Sequence, residues 1–221
     1  MRKLRIFGDT HGHHDWYKQH VVAANLEYIP TFHVGDFGIG FPHGERWDNY
    51  WLEDPDGFAR MNGVIAGNHD NPLWVKECPL FLPRYSYLNG IFSMHGAASI
   101  DREWRKPGVS WWEREELSDS EMEEAKELYL ASRPNVVITH DGPLQALRYM
   151  FPMQAMNSHI PPSRTQIFLD DLFEEHKPKF WFFGHWHHTM CIEDFEGCTF
   201  QCIGERDWVD FDFEKMEIFD K

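Results

Sequence analysis

KFWFFGHWHH, Lys179 to His188, joins an apolar run to three histidines within four positions. The run is too short for a helix and rich in aromatic residues, so it reads as a buried strand. Gly184 ends it and the imidazoles follow at once. A polar cluster at the end of a buried strand costs free energy unless something satisfies it. A metal, a proton relay or solvent at a loop tip would each do so.

The same grammar recurs along the chain. LRIF (4–7) runs into GDTHGH, with Asp9 and His11. TFHV (31–34) runs into Gly35-Asp36, and GVIA (63–66) into Gly67-Asn68-His69-Asp70. VVIT (136–139) ends at His140. Five apolar runs thus each deliver a carboxylate, carboxamide or imidazole. Sites in open α/β sheets form outside the carboxyl ends of strands, and the glycines fit tight turns there. Between the runs the pattern predicts helices over 13–25, 119–132 and 164–176. Ser118 and Glu121 have capping-box spacing, and Pro134 and Pro178 stop the second and third. Asn89-Gly90 and Glu196-Gly197 mark hairpins, and WVDFDF with MEIFD a last strand pair. The expected fold is α/β, with βα units first, hairpins added, and two mixed sheets packed between helices.

Composition narrows the class. The 221 residues suit one domain, 1–221, and 42% hydrophobic content supports a large core. No apolar stretch is long enough to span a membrane, and the basic N-terminus lacks the apolar run of a signal peptide. Cys78, Cys191, Cys198 and Cys202 lack CxxC spacing, so they read as reduced thiols in a cytoplasmic protein. A net charge of −15 opposes stable binding of duplex nucleic acid. It does not oppose phosphate chemistry at a site where bound cations invert the local field. Oligomeric state is not legible.

The donors at the strand ends are oxygen and nitrogen without sulfur, which suits Mn, Fe, Zn or Ni. Seven donors are too many for one tetrahedral ion and suit two ions sharing a carboxylate. The ordered set D-x-H, G-D, G-N-H-D, a lone strand-end His and G-H-x-H resembles the calcineurin-like metallophosphoesterase superfamily. The resemblance runs from Asp9 to His187. It implies a four-layer αββα sandwich and two divalent metal ions, with Mn favoured. It implies that Asp9, His11, Asp36 and His187 hold one ion and Asp36, Asn68, His140 and His185 the other. His185 and His187 would then each face a different ion, with Trp186 turned into packing and His188 a bystander.

Two metals about 3.5–4 Å apart lower the pKa of a bridging water and stabilise charge on a phosphate. His69 is then the expected general acid for the leaving oxygen. Asp70 is expected to orient it or to cap a turn, and Asn68 also to reach the substrate. The second block reads GDFGIG and lacks the Asp-Arg-Gly of the protein phosphatases. Its missing cation is sought in HGAASIDREWRKPGVSWWEREE (95–116), which resembles a segment of a bacterial and phage branch of the superfamily: Arg102 and Arg105 as phosphate ligands, Trp111 and Trp112 as pocket walls or base-stacking surfaces. His95 is expected in the cleft or the core. His20, His33, His43 and His176 read as surface or satisfied residues, and the Met-rich piece 150–162 as a loop. The expected activity is hydrolysis of phosphodiesters, with small cyclic or dinucleotide substrates. The alternatives are a monoester or phosphoprotein phosphatase, a nuclease, and a metal-binding scaffold without catalysis.

Overall fold

The computed structural model describes residues 3–42, 62–152 and 161–219. His43 and most of the Met-rich piece lie outside them. Two mixed sheets account for the apolar runs. In the first, β1 (Lys3–Phe7), β2 (Thr31–His33) and β3 (Asn62–Val64) are parallel, with Arg5 opposite Thr31 and Thr31 opposite Asn62. An antiparallel pair flanks β1 on the other side. In the second sheet, β4 (Tyr85–Leu88), β5 (Ile91–Met94), β6 (Val136–Thr139) and β7 (Phe180–Phe183) are followed in space by β9 (Cys198–Cys202) and β8 (Met190–Phe195). The flanking pair of the first sheet is β10 (Trp208–Asp212) and β11 (Glu217–Phe219).

Side chains alternate across each strand, and this builds four layers. Leu4, Ile6, Phe32 and Val34 of the first sheet meet Val136, Ile138, Phe182 and Ile203 of the second in a dry inner core. Phe7 points the other way, onto Tyr17 and Val21 of α1 (His14–Leu26). Val137, Trp181 and Phe183 likewise turn outward. They pack under α3 (Asp119–Ser132), α4 (Leu144–Met150) and α5 (Arg164–Glu175). A short α2 (Pro72–Glu77) follows β3. The αββα expectation is therefore met, and the hairpin turns are where the sequence puts them. Asn89 and Gly90 have φ of 53° and 86°, joining Leu88 to its partner Ile91.

The helix predicted over 13–25 is observed one residue later at both ends, and the one predicted over 164–176 ends one residue sooner. Two elements escape the pattern. α2 exposes Leu73 and Trp74, so it has no buried stripe to read. α4 buries Leu144, Ala146, Leu147 and Met150, four of seven residues, which blurs its polar face. The Ser118 capping box is complete: Ser118 accepts the Glu121 N–H, and the Glu121 carboxylate accepts the Ser118 N–H at 2.8 Å. Replacing Ser118 by Ala is expected to cost about 1 kcal/mol. A lower urea midpoint at unchanged slope would show it.

Candidate metal centre

Because β1, β2 and β3 are parallel, their following turns leave one edge of the first sheet together. β5, β6 and β7 are parallel too. The two edges meet, and the polar residues predicted from the strand ends converge there. Donor atoms of Asp9, His11, Asp36 and His187 lie within 4.8 Å of one another, as do those of Asp36, His140 and His185. Asp36 belongs to both groups. Asn68 joins the second, with Oδ1 at 3.2 Å from His140 Nε2. Asp9, Asp36 and His140 are fully buried.

The orientation of these groups is fixed from behind. His140 Nδ1 donates to the Val34 carbonyl at 2.9 Å, which leaves Nε2 facing Asp36 Oδ1 at 3.2 Å. Such a bond on the far nitrogen sets the tautomer of a ligating histidine. Asp9 accepts the His185 N–H at 3.0 Å, and Asp36 Oδ1 accepts the His69 N–H at 2.8 Å. Four of the gathered residues sit in left-handed backbone: His11 at φ 47°, Asp36 at 53°, His185 at 66° and His187 at 56°. Non-glycine residues enter this region at a cost, and they cluster at functional sites.

The glycines that precede the donors do more than turn the chain. A Cβ on Gly184 would lie 2.2 Å from Asp9 Oδ1, and one on Gly67 would lie 2.2 Å from Asp36 Oδ1. Each therefore clears space for a carboxylate delivered by a different strand.

The electrostatics show what the cluster lacks. Burial works against a charged His140, but the charge and hydrogen bond of Asp36, with Asp9 behind it, push the ring up to about 10. Burial pulls His11 the other way, down to about 4. The Nε2 atoms of His11 and His187 face each other at 2.9 Å. Buried carboxylates, an amide oxygen and imidazole lone pairs pointing at shared space form a site short of positive charge. Divalent cations fit it, and the donor set suits borderline transition metals.

Other predicted residues are placed as follows. His69 stands beside the cluster, with Nδ1 at 2.7 Å from His11 Nδ1 and 3.5 Å from Asp36 Oδ2. Phe41 stacks on its ring at 4.7 Å, and Arg105 donates to its Nε2. Arg105 is held in turn by Asp101 and lies over Phe41. Asp70 does not orient His69. Its two oxygens accept N–H bonds from Phe37, Gly38, Ile39 and Gly67 at 2.7–3.1 Å, so its carboxylate ties the second strand-end turn to the third. Among the described residues no hydrogen bond or ion pair joins Arg102 to the cluster, and it lies exposed at the start of a single 3₁₀ turn.

Trp112 is buried against Phe41 rather than presented for stacking. His95 is buried after the same sheet edge and lines a cavity of about 540 Å³ with Gly67, Asp70, Val75, Phe81 and Glu115. Trp186 does turn into packing, stacking on Phe151 at 5.0 Å. Sequence reasoning missed Ser99 and Glu115, which bond to each other and, through Ser99, to Asn68. They are 16 residues apart and carry no spacing signal.

An αββα sandwich with a carboxylate–histidine cluster at its shared strand-end edge is the build of a metal-dependent hydrolase. The chain belongs to the calcineurin-like phosphoesterase family, whose model matches residues 2–189. No protein of curated function matches the sequence. Several solved structures share the fold. A Thermus thermophilus protein aligns with TM-score 0.59 at 11% identity, over 99% of this chain and 97% of its own. A dimetal phosphatase from Danio rerio aligns with TM-score 0.54 at 11% identity, over 95% and 91%. The anchor in the inner membrane complex of Plasmodium aligns with TM-score 0.53 at 10% identity, over 96% and 81%. Among the described residues no helix is long and apolar enough to cross a membrane.

Proposed function

We propose that this phosphoesterase hydrolyses phosphodiesters, with small cyclic or dinucleotide substrates, using two divalent cations of which manganese is the favoured pair. The observation that carries the reading is the sharing of Asp36 between two donor groups, with His69 alongside. Asp9, His11, Asp36 and His187 would hold one ion; Asp36, Asn68, His140 and His185 the other. When bound, the cations supply Lewis acidity, neutralising phosphate oxygens and making water acidic enough to attack near neutral pH.

The chain's own residues do the rest. The strand-end turns hold the donors without reorganisation, which is where electrostatic catalysis gains most. Phe41 fixes the plane of the His69 ring. Burial, with Arg105 adding to it, holds the His69 ring below the ordinary imidazole range, and Asp36 opposes both. Arg105, whose N–H Nε2 accepts here, turns to the incoming phosphate and uncovers that atom. Nε2 then takes up a proton from solvent, and His69 gives it to the leaving oxygen. The net charge of −15 disfavours a long nucleic-acid track and supports a small substrate.

The test is hydrolysis of bis-(p-nitrophenyl) phosphate by protein loaded with Mn²⁺, abolished by EDTA and restored by Mn²⁺. Absence of turnover with Mn, Ni, Co and Zn alike would overturn the reading. A panel of nucleotide mono- and diesters then ranks the substrates.

A further inference from the structure

The segment 95–116 draws attention for its arginines, yet its firmest link to the cluster runs through Ser99 and Glu115. Glu115 is buried, and both its oxygens act as acceptors. Oε1 takes the Ser99 backbone N–H and Oε2 takes the Ser99 hydroxyl, each at 2.7 Å. The hydroxyl proton is thereby committed to Glu115. Toward Asn68 the Ser99 oxygen can only accept, and Asn68 Nδ2 donates to it at 3.1 Å. An amide whose NH₂ end is fixed has its carbonyl end fixed as well. Asn68 Oδ1 accordingly faces His140 Nε2 at 3.2 Å, inside the second donor group. The two ends of a carboxamide are nearly the same size, so only hydrogen bonding chooses between them. A flipped Asn68 would present two N–H donors where a cation needs an oxygen.

We propose that Ser99 and Glu115 are positioning residues that hold the Asn68 amide in its ligating orientation and so set the affinity of the Asp36–Asn68–His140–His185 site. The inference rests on the metal-centre reading above. Groups one bond removed from a ligand are worth about 10–100-fold in metal affinity. Ser99→Ala cuts the link to Asn68 together with the hydroxyl bond to Glu115 Oε2, while the backbone N–H bond to Glu115 Oε1 survives. Glu115→Gln acts at the other end, freeing the hydroxyl proton to point at Asn68.

The experiment titrates metal-free protein with Mn²⁺ by equilibrium dialysis. It also follows proton exchange of the ¹⁵N-labelled Asn68 side-chain amide with no metal present. Wild type is expected to take up two ions. Ser99→Ala and Glu115→Gln should keep the first at wild-type affinity and bind the second about 10–100-fold more weakly. Ser99→Thr, which keeps the hydroxyl, should restore it. Asn68 amide exchange should quicken in Ser99→Ala in EDTA, while the exchange of another buried side-chain amide, Gln166, stays as in wild type. Wild-type affinity for both ions with unchanged exchange in Ser99→Ala would overturn the proposal. So would loss of both ions together with a lower melting temperature, which marks a merely structural strap. A wild type that takes up fewer than two ions counts against the metal centre itself, and the exchange of Asn68 still reports whether the strap orients it.

Discussion

Asp36→Asn is expected to lower metal uptake at both sites and to reduce hydrolysis by roughly 10³-fold or more, beyond the 10²–10³ typical of losing one electrostatic group. Asp36 is the one carboxylate common to both donor groups. The substitution is nearly isosteric, and its amide oxygen can still accept the His69 N–H that Oδ1 accepts now, so the turn should persist. What is lost is a buried negative charge. Asp36 is also the main influence raising His140 against burial, so an unpaired His140 reverts to the neutral ring that burial favours. Metal analysis after dialysis checks the first effect and turnover the second. A variant that retains two ions at wild-type affinity would remove Asp36 from its bridging role.

His69→Ala is expected to leave both ions in place and to cut turnover of alkoxide-leaving diesters by about 10²–10⁴-fold, the range of a lost general acid. The His69 side chain meets the cluster through ring contacts to His11 and Asp36, its backbone N–H bond to Asp36 survives the substitution, and it belongs to neither donor group. A p-nitrophenolate departs without a proton, so bis-(p-nitrophenyl) phosphate should lose much less. The ratio between the two substrates is the informative quantity. Equal losses on both, or a missing ion, would contradict the role given to His69. Arg105→Ala separates the neighbouring group: if Arg105 meets the phosphate, its loss raises KM on both substrates without altering their ratio.

Much of this was legible because strands announce themselves twice, by an apolar run and by the punctuation after it. VVIT is β6 residue for residue, and every predicted ligand emerges at one edge because parallel strands must end together. The capping box at Ser118 was readable because its two halves are three residues apart. Long-range partnership is what a linear reading loses. Asp70 looks like the companion of His69 from adjacency, yet its four amide donors come from two different turns. Ser99 and Glu115 matter only because the strap between β5 and α3 folds back over Asn68. Arg102 and Arg105 look equivalent in sequence, and only the 3₁₀ turn between them decides which one faces the site.

The left-handed backbone at His11, Asp36, His185 and His187 carries a further meaning. Glycine adopts that conformation without the penalty of about 1–2 kcal/mol that other residues meet. At each of the four positions the mutation most damaging to a metal site is therefore one the bare fold would tolerate or welcome. Replacing any one of them by glycine should therefore remove a donor while leaving the turn intact, so that loss of metal uptake can be read apart from loss of the fold.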